Sequence, residues 1–448
     1  MQNSETKINF KSETFKKYFA NTSWLFGEKI ARIIITFFIG IFLVRFLGPN
    51  KFGIYSYALS FITLFSALSI LGIEKIVVRD LINHPEKQNS ILGTAFFLRI
   101  AGTAISLVLI FVLVFLIGDS GITLIMIALM STLIIFRSVQ VIDYYFQAKV
   151  ISKFSVYAQF GSLVVGSVIK IILILYNAPL IYFGISVGIE NFVMAGILIN
   201  NYRLQKLSLF DWKFDKNISK EILKESWPLI ISSIAVTMYM KIDQVMIKHM
   251  LGEREVGFYA AAVQLCESWY FVPTVIAGSL FPAILSAKQT SIKLYESRTQ
   301  KLIDLLTWMS IGIALPVTLF SELIIKILFG SEFAVSAPVL TVYIWAGVAA
   351  FIGVASSQYL IAEKLTKLTL YRTVPGLILN IILNLILIPS YGIVGSAYAT
   401  LISYTFTVFS IGFLKITRKH FKMMLKSVLL ITLVQHIINN FIGKQNKN

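Results

Sequence analysis

The chain has 448 residues, of which 57% are hydrophobic and 14% charged, and its mean hydropathy is +0.79. A soluble domain carries about 45–50% apolar and about 25% charged residues, so this composition excludes a soluble enzyme, a disordered chain and an ordinary nucleic-acid binder. The 40 Lys+Arg against 22 Asp+Glu, a formal charge of +18, then read as the loop bias of a polytopic membrane protein, with no nucleic acid expected as partner.

Residues 1–21 are polar, carry Lys7, Lys11, Lys16 and Lys17, and lack the apolar core and small-residue cleavage site of a secretory signal. Hydropathy then predicts helical spans at 22–46, 53–73, 90–117, 121–147, 154–176, 180–200, 226–248, 257–286, 302–328, 337–362, 369–389 and 391–415. Lipid cannot satisfy exposed backbone groups, so apolar runs of this length must be helices. The stretch 425–442 is weaker: Gln435, His436, Asn439 and Asn440 make it an interfacial helix or a marginal further span. The expected organisation is an N-terminal segment 1–21, six helices in 22–200, a linker 201–225, six helices in 226–415 and a basic tail 416–448.

Charge alternates between successive loops. Lys75, Arg79 and Lys87 are followed by Lys149 and Lys153, by the run from Arg203 to Lys224, by Lys288, Lys293, Arg298 and Lys301, by Lys364, Lys367 and Arg372, and by Lys415 to Lys426. The intervening loops hold only Lys51, Lys248 and Arg254, with Arg45 at their edge. This bias predicts that the N-terminus and the end of the twelfth span face the cytoplasm. Contact with anionic membrane lipids accounts for the same charges.

An internal repeat underlies the pattern. Leu47-Gly48-Pro49-Asn50-Lys51-Phe52-Gly53-Ile54-Tyr55 and Leu251-Gly252-Glu253-Arg254-Glu255-Val256-Gly257-Phe258-Tyr259 share the form L-G-x-x-x-[FV]-G-[FI]-Y, followed in both by Ala two residues after the Tyr's neighbour, at Ala58 and Ala262. Glycine suits both positions because such a turn needs positive φ or close backbone approach, and the Tyr suits headgroup level. An even number of spans separates the copies, so the halves share orientation, as in transporters built from parallel repeats.

Ionisable residues predicted at membrane depth are Arg99, Arg137, Asp143, Lys170, Glu190, Lys241, Asp243 and Glu267. Each costs at least about 2.5–3.5 kcal/mol in lipid, so each should face protein or water. At 100° per residue, Arg137, Gln140, Asp143, Tyr144 and Gln147 fall within about 120° of arc, which marks a lumen or a buried network. Lys241 and Asp243 lie about 200° apart on their helix and are poor partners for each other. Asp243 is an ion-coupling carboxylate or a structural partner; Asp143, Glu190 and Glu267 are proton sites or network members; Lys170 is placed to snorkel. The four His are scattered and Cys266 is the only Cys, so no metal, disulfide or other cofactor site is expected. No Walker or catalytic motif stands out, which favours transport over chemistry.

The chain resembles the Wzx-type polysaccharide flippases of the multidrug/oligosaccharidyl-lipid/polysaccharide exporter superfamily. The resemblance rests on Val44-Arg45-Phe46-Leu47-Gly48-Pro49 with Phe52-Gly53-Ile54-Tyr55, on Lys241-Ile242-Asp243-Gln244 before Gly257-Phe258-Tyr259, and on Leu379-Asn380-Ile381-Ile382-Leu383-Asn384 before Ile388-Pro389-Ser390-Tyr391-Gly392. It implies an all-α, MATE-like, V-shaped pair of six-helix bundles in a bacterial cytoplasmic membrane. It also implies the flipping of an undecaprenyl-pyrophosphate-linked oligosaccharide to the outer leaflet, with polysaccharide polymerase and chain-length machinery as partners. A central cavity with Arg99, Arg137 and Lys241 suits the pyrophosphate, since guanidinium binds phosphate oxygens bidentately. Gln140, Tyr144, Gln147 and Asn380 are then placed for the sugars. The alternatives are a MATE-like ion-coupled drug or metabolite exporter and a lipid II flippase. A membrane glycosyltransferase is disfavoured by the short outer loops.

Overall fold

The computed structural model describes residues 13–432, and among these every regular element is helical. In chain order the helices are α1 (Glu13–Ile70), α2 (Glu74–Asn83), α3 (Gln88–Ile117), α4 (Gly121–Arg137), α5 (Val141–Ala148), α6 (Lys153–Leu175), α7 (Leu180–Leu204) and α8 (Lys216–Leu251). They continue with α9 (Glu253–Glu267), α10 (Phe271–Thr290), α11 (Ile292–Leu319), α12 (Ser321–Phe329), α13 (Ser336–Ala362), α14 (Lys367–Phe409) and α15 (Arg418–Val428). Ten continuous stretches of the described chain are long and apolar enough to cross a membrane. Two of them, Gly27–Asn83 and Lys367–Phe413, each hold two predicted spans, because α1 breaks at Gly48 and α14 at Gly392. The protein is a multi-pass membrane protein with about twelve crossings. Phe115, Leu116 and Leu175 stand more than two-thirds exposed, as expected where the surrounding solvent is lipid.

Several predicted boundaries move. The span 121–147 is interrupted by a 3-10 turn at Ser138–Gln140. The span 302–328 ends at Leu319, and α12 follows as a separate short helix. The helix predicted from 226 starts at Lys216, within the expected linker. The last span stops at Phe409, and short 3-10 turns lead into α15. Residues 1–12, and the predicted tail helix beyond 432 with its Gln435 and His436, lie outside the described residues.

The chain forms two compact units, Met1–Phe46 with Ala58–Thr237, and Leu47–Tyr57 with Met238–Asn448. In the first, close helix approach uses small residues, as is general in membranes: Gly184 and Gly188 of α7 meet Met126 and Thr132 of α4. The segment after α7 is fastened down rather than loose. Trp212 donates from Nε1 to Tyr202 Oη at 3.1 Å and packs edge-on against Phe96. The Asp215 amide donates to Thr94 Oγ1 at 2.9 Å, and the Lys213 backbone lies where a Cβ on Gly93 would sit.

In the second unit the two repeat junctions meet. Gly48 and Gly252 both have positive φ, +65° and +109°, which non-glycine residues rarely adopt. Gly53 and Gly257 serve the other purpose. A Cβ on Gly53 would overlap the Glu253 carbonyl and lie 3.0 Å from the Gly257 amide nitrogen; one on Gly257 would overlap the Pro49 carbonyl and lie 3.1 Å from the Gly53 nitrogen. The contact is self-complementary, since Pro49 pairs with Glu253 and Gly53 with Gly257 in the repeat. Tyr57 Oη and His249 Nε2 are bonded beside it at 3.1 Å. The motif tyrosines do not face the surroundings: Tyr55 and Tyr259 are both buried.

Candidate functional site

In the first unit a group of cations gathers from α1, α3 and α4. Arg99 is 1% exposed. Its Nη1 donates to Tyr144 Oη at 3.1 Å, while Nε and Nη2 have no protein acceptor. A buried donor without acceptor costs about 1–3 kcal/mol, more when charged, which sets this guanidinium apart from the other buried cations. Arg137 lies near enough to Arg99 and Arg32 to feel their charge, with Glu190 as counter-charge. Its Nε donates to Asn191 Oδ1 at 3.4 Å. Arg32 is 37% exposed and pairs with the buried Glu28 at 2.6 Å.

The predicted polar stripe does not act as one face, because the 3-10 turn re-phases the helix after Arg137. Tyr144 turns to Arg99. Asp143 accepts from Ser155 Oγ and, at 3.0 Å, from Gln147 Nε2, which also donates to Glu74. Gln140 reaches the Met194 sulfur at 3.6 Å. Lys170 and Glu190 form an ion pair at 2.8 Å, in space left by Gly166.

The second unit holds a buried carboxylate. Asp243 Oδ2 accepts from Thr400 Oγ1 at 2.6 Å and Tyr259 Oη at 2.8 Å, and Oδ1 accepts from Asn384 Nδ2 at 2.8 Å. Asn384 also donates to Asn380 Oδ1 at 3.1 Å. These hydrogen-bond partners are all neutral. Around them Asn384 Oδ1, Asn380 Nδ2 and Ser396 Oγ lack partners. Lys241 does not join this group; it pairs with Glu267 at 3.0 Å, as the angular separation on α8 requires.

Four members of these groups escape a reading of single residues. Glu28 and Arg32 sit four apart inside the first predicted span, an ionisable pair that marks a protein-facing strip. Asn384 follows Asn380 by one turn on an apolar helix, and Tyr259 is the repeat-motif tyrosine itself. A further buried cation, Arg372, is held by Ser356 Oγ at 3.0 Å and Ser357 Oγ at 2.7 Å.

Residues 18–288, well over half the chain, match the family model described as "Polysaccharide biosynthesis protein". The chain belongs to the polysaccharide biosynthesis protein family. Within this family member, residues 228–386 also match the MatE model. It is 28% identical over 217 residues to the probable low-salt glycan biosynthesis flippase Agl15 of Haloferax volcanii, covering 47% of this chain and 45% of that protein. The alignment thus spans just under half the length of that relative. It is 24% identical over 404 residues to the putative O-antigen transporter of Shigella flexneri, covering 84% and 92%. In fold it is similar to the lipid II flippase MurJ in an inward closed conformation, with a TM-score of 0.71 at 16% identity and 92% of each chain covered.

Proposed function

We propose that this family member is a transporter that flips a lipid-linked oligosaccharide, its pyrophosphate held by the cations of the first unit. The observation that carries this reading is the buried Arg99 guanidinium with two nitrogens lacking acceptors, beside Arg137 and Arg32. The names of the Agl15 and O-antigen relatives support the same substrate class. Arg137 and Arg32 are partly exposed and meet the anion first; Arg99 lies beneath and strengthens the potential at low dielectric. Lys241, neutralised by Glu267, is a weaker candidate for this role. In this reading the basic loops and the N-terminus lie on the cytoplasmic side of a bacterial cytoplasmic membrane, and the lipid-linked substrate moves outward from there. The product is the lipid-linked unit that polymerase and chain-length machinery would consume.

Asp243 is the coupling carboxylate in this reading. Asp143, Glu190 and Glu267 already hold Ser155 with Gln147, Lys170 and Lys241 respectively. Asp243 has only neutral partners, the Tyr259 and Thr400 hydroxyls and the Asn384 amide nitrogen, all of which donate to it. That set suits a proton, or a hard monovalent cation with oxygen ligands as in other ion-coupled transporters.

The test is reconstitution of the full chain in liposomes with a fluorescent undecaprenyl-pyrophosphate oligosaccharide, with and without a Na⁺ or pH gradient. A charged hydrogen bond is worth about 1.5–3 kcal/mol, so Arg137→Ala should slow flipping about 10–150-fold while membrane-inserted protein persists. Asp243→Asn should remove the gradient dependence. Undiminished flipping in an Arg99→Ala/Arg137→Ala protein, or uptake of cationic dyes without flipping, would refute the reading.

A further inference from the structure

The last carboxylate of the sequence is Glu363. Everything beyond it is uncharged or basic, and four of the cations share one short helix. Lys415 precedes α15, and Arg418, Lys419, Lys422 and Lys426 lie along it. At 100° per residue those four fall within about 100° of arc.

The orientation of that stripe is set by what the other side of α15 does. His420, Met424 and Ser427 are buried. Ser427 Oγ donates to Asp304 Oδ1 at 2.5 Å, Trp308 Nε1 donates to the Ser427 carbonyl at 3.2 Å, and Gln300 Nε2 donates to the Met423 carbonyl at 3.1 Å. The His420 ring stacks on Tyr359 with centroids 4.0 Å apart. With this face bolted to α11 and α13, the cations must point outward. Lys419 is bonded to Glu296; Lys415, Arg418, Lys422 and Lys426 are exposed. Apolar side chains bracket them, with Phe413 80% and Ile416 and Leu429 each 64% exposed. Cations flanked by apolar groups, on a helix leaving a membrane span, match an anionic bilayer surface in charge and in depth.

The protein contains its own comparison. Lys216, Lys220 and Lys224 at the start of α8 repeat the spacing of Arg418, Lys422 and Lys426, again opposite buried residues, Ser219, Ile222 and Ser226. There Glu221 and Glu225 intervene, and Glu225 is bound to Arg79 at 2.8 Å. The α8 segment is nearly charge-balanced; α15 is not.

We propose that the outward stripe of α15 is a docking site for anionic phospholipid headgroups, in the leaflet at the basic end of the bundle and separate from the transported lipid. Each cation near such a surface is worth roughly a fivefold gain in affinity.

The experiment places the full chain in nanodiscs of phosphatidylcholine with phosphatidylglycerol and counts retained lipids by native mass spectrometry after release. Wild type should retain phosphatidylglycerol several-fold over phosphatidylcholine. Lys415→Gln/Arg418→Gln/Lys422→Gln/Lys426→Gln should lose that preference and retain the two lipids about equally. Exchanging the three lysines among them for arginine should keep it, and so should Lys216→Gln/Lys220→Gln/Lys224→Gln. No preference in wild type, or equal loss from the α8 variant, would overturn the proposal. So would displacement of the bound lipid by inorganic pyrophosphate, which would assign it to the transport site.

Discussion

A methyl group on Gly53 tests the contact between the repeat junctions directly. Gly53 has φ outside the left-handed region and lies within a helical limb of α1. Alanine there would by itself favour the helix by up to about 1 kcal/mol. Against this, its Cβ would overlap the Glu253 carbonyl, a backbone atom that no rotamer change can move. Overpacking of this kind costs about 1–3 kcal/mol, which for a unit of this size lowers Tm by about 2–12 °C. Gly257→Ala should cost the same, since its Cβ meets the Pro49 carbonyl in the mirrored way. The sharper expectation concerns the double variant. Both methyls open one shared contact, so Gly53→Ala/Gly257→Ala should cost clearly less than the sum of the singles. Thermal unfolding of purified protein at one fixed scan rate reads all three, with Gly196→Ala as control, because nothing lies within 4 Å of its built Cβ. Additive losses, or a Gly53→Ala protein as stable as the control, would refute the packing of the two junctions.

Asp243→Ala strands the donors of Tyr259, Thr400 and Asn384, each worth about 1–3 kcal/mol when buried unpaired; Tm should fall in the order Asp243→Ala, then Asp243→Asn, then Tyr259→Phe, and the reverse order would contradict the network. Removing one member of the Lys170–Glu190 pair leaves the other charge buried, so Lys170→Met/Glu190→Gln should accumulate in membranes and resist heat better than either single variant. Burial, with Arg372 nearby, pushes His420 down to about 3. The docked helix therefore holds a neutral imidazole, while the released helix binds a proton near pH 6.5. Docking is then at full strength above pH 6.5 and weakens as pH falls toward 3, by about 2 kcal/mol at pH 5. Hydrogen exchange of residues 418–428, referenced to α13 amides, should show roughly 30-fold more opening at pH 5 than at pH 7.5, and His420→Phe should abolish the difference; equal protection at both pH values would count against it.

The repeat motif illustrates how far local sequence reaches. Its first glycine carries positive φ and its second permits close approach, the two properties for which backbone chemistry needs glycine. What touches the second glycine is another turn more than two hundred residues away, and no local pattern encodes that distance. The tyrosine of the same motif shows the limit again: at a predicted membrane edge it reads as an interfacial residue, yet Tyr259 is buried and bonded to Asp243. The stripe from Arg137 to Gln147 fails for a different reason. A uniform 100° step assumes an unbroken helix, and a 3-10 turn in its middle re-aims every later residue.

Composition and hydropathy alone determine the class of molecule and the approximate number of crossings, because in lipid the backbone must satisfy itself within each segment; the repeated motif is what points to the duplication. The same logic marks Arg99, Arg137 and Asp243 as side chains that need partners. Only the tertiary structure decides who those partners are. It gives Lys241 to Glu267 and Lys170 to Glu190, surrounds Asp243 with neutral donors, and leaves Arg99 with nitrogens unmet. Charge pairing acts over a few ångströms between different helices, so it follows from how the helices pack and is invisible along any one of them.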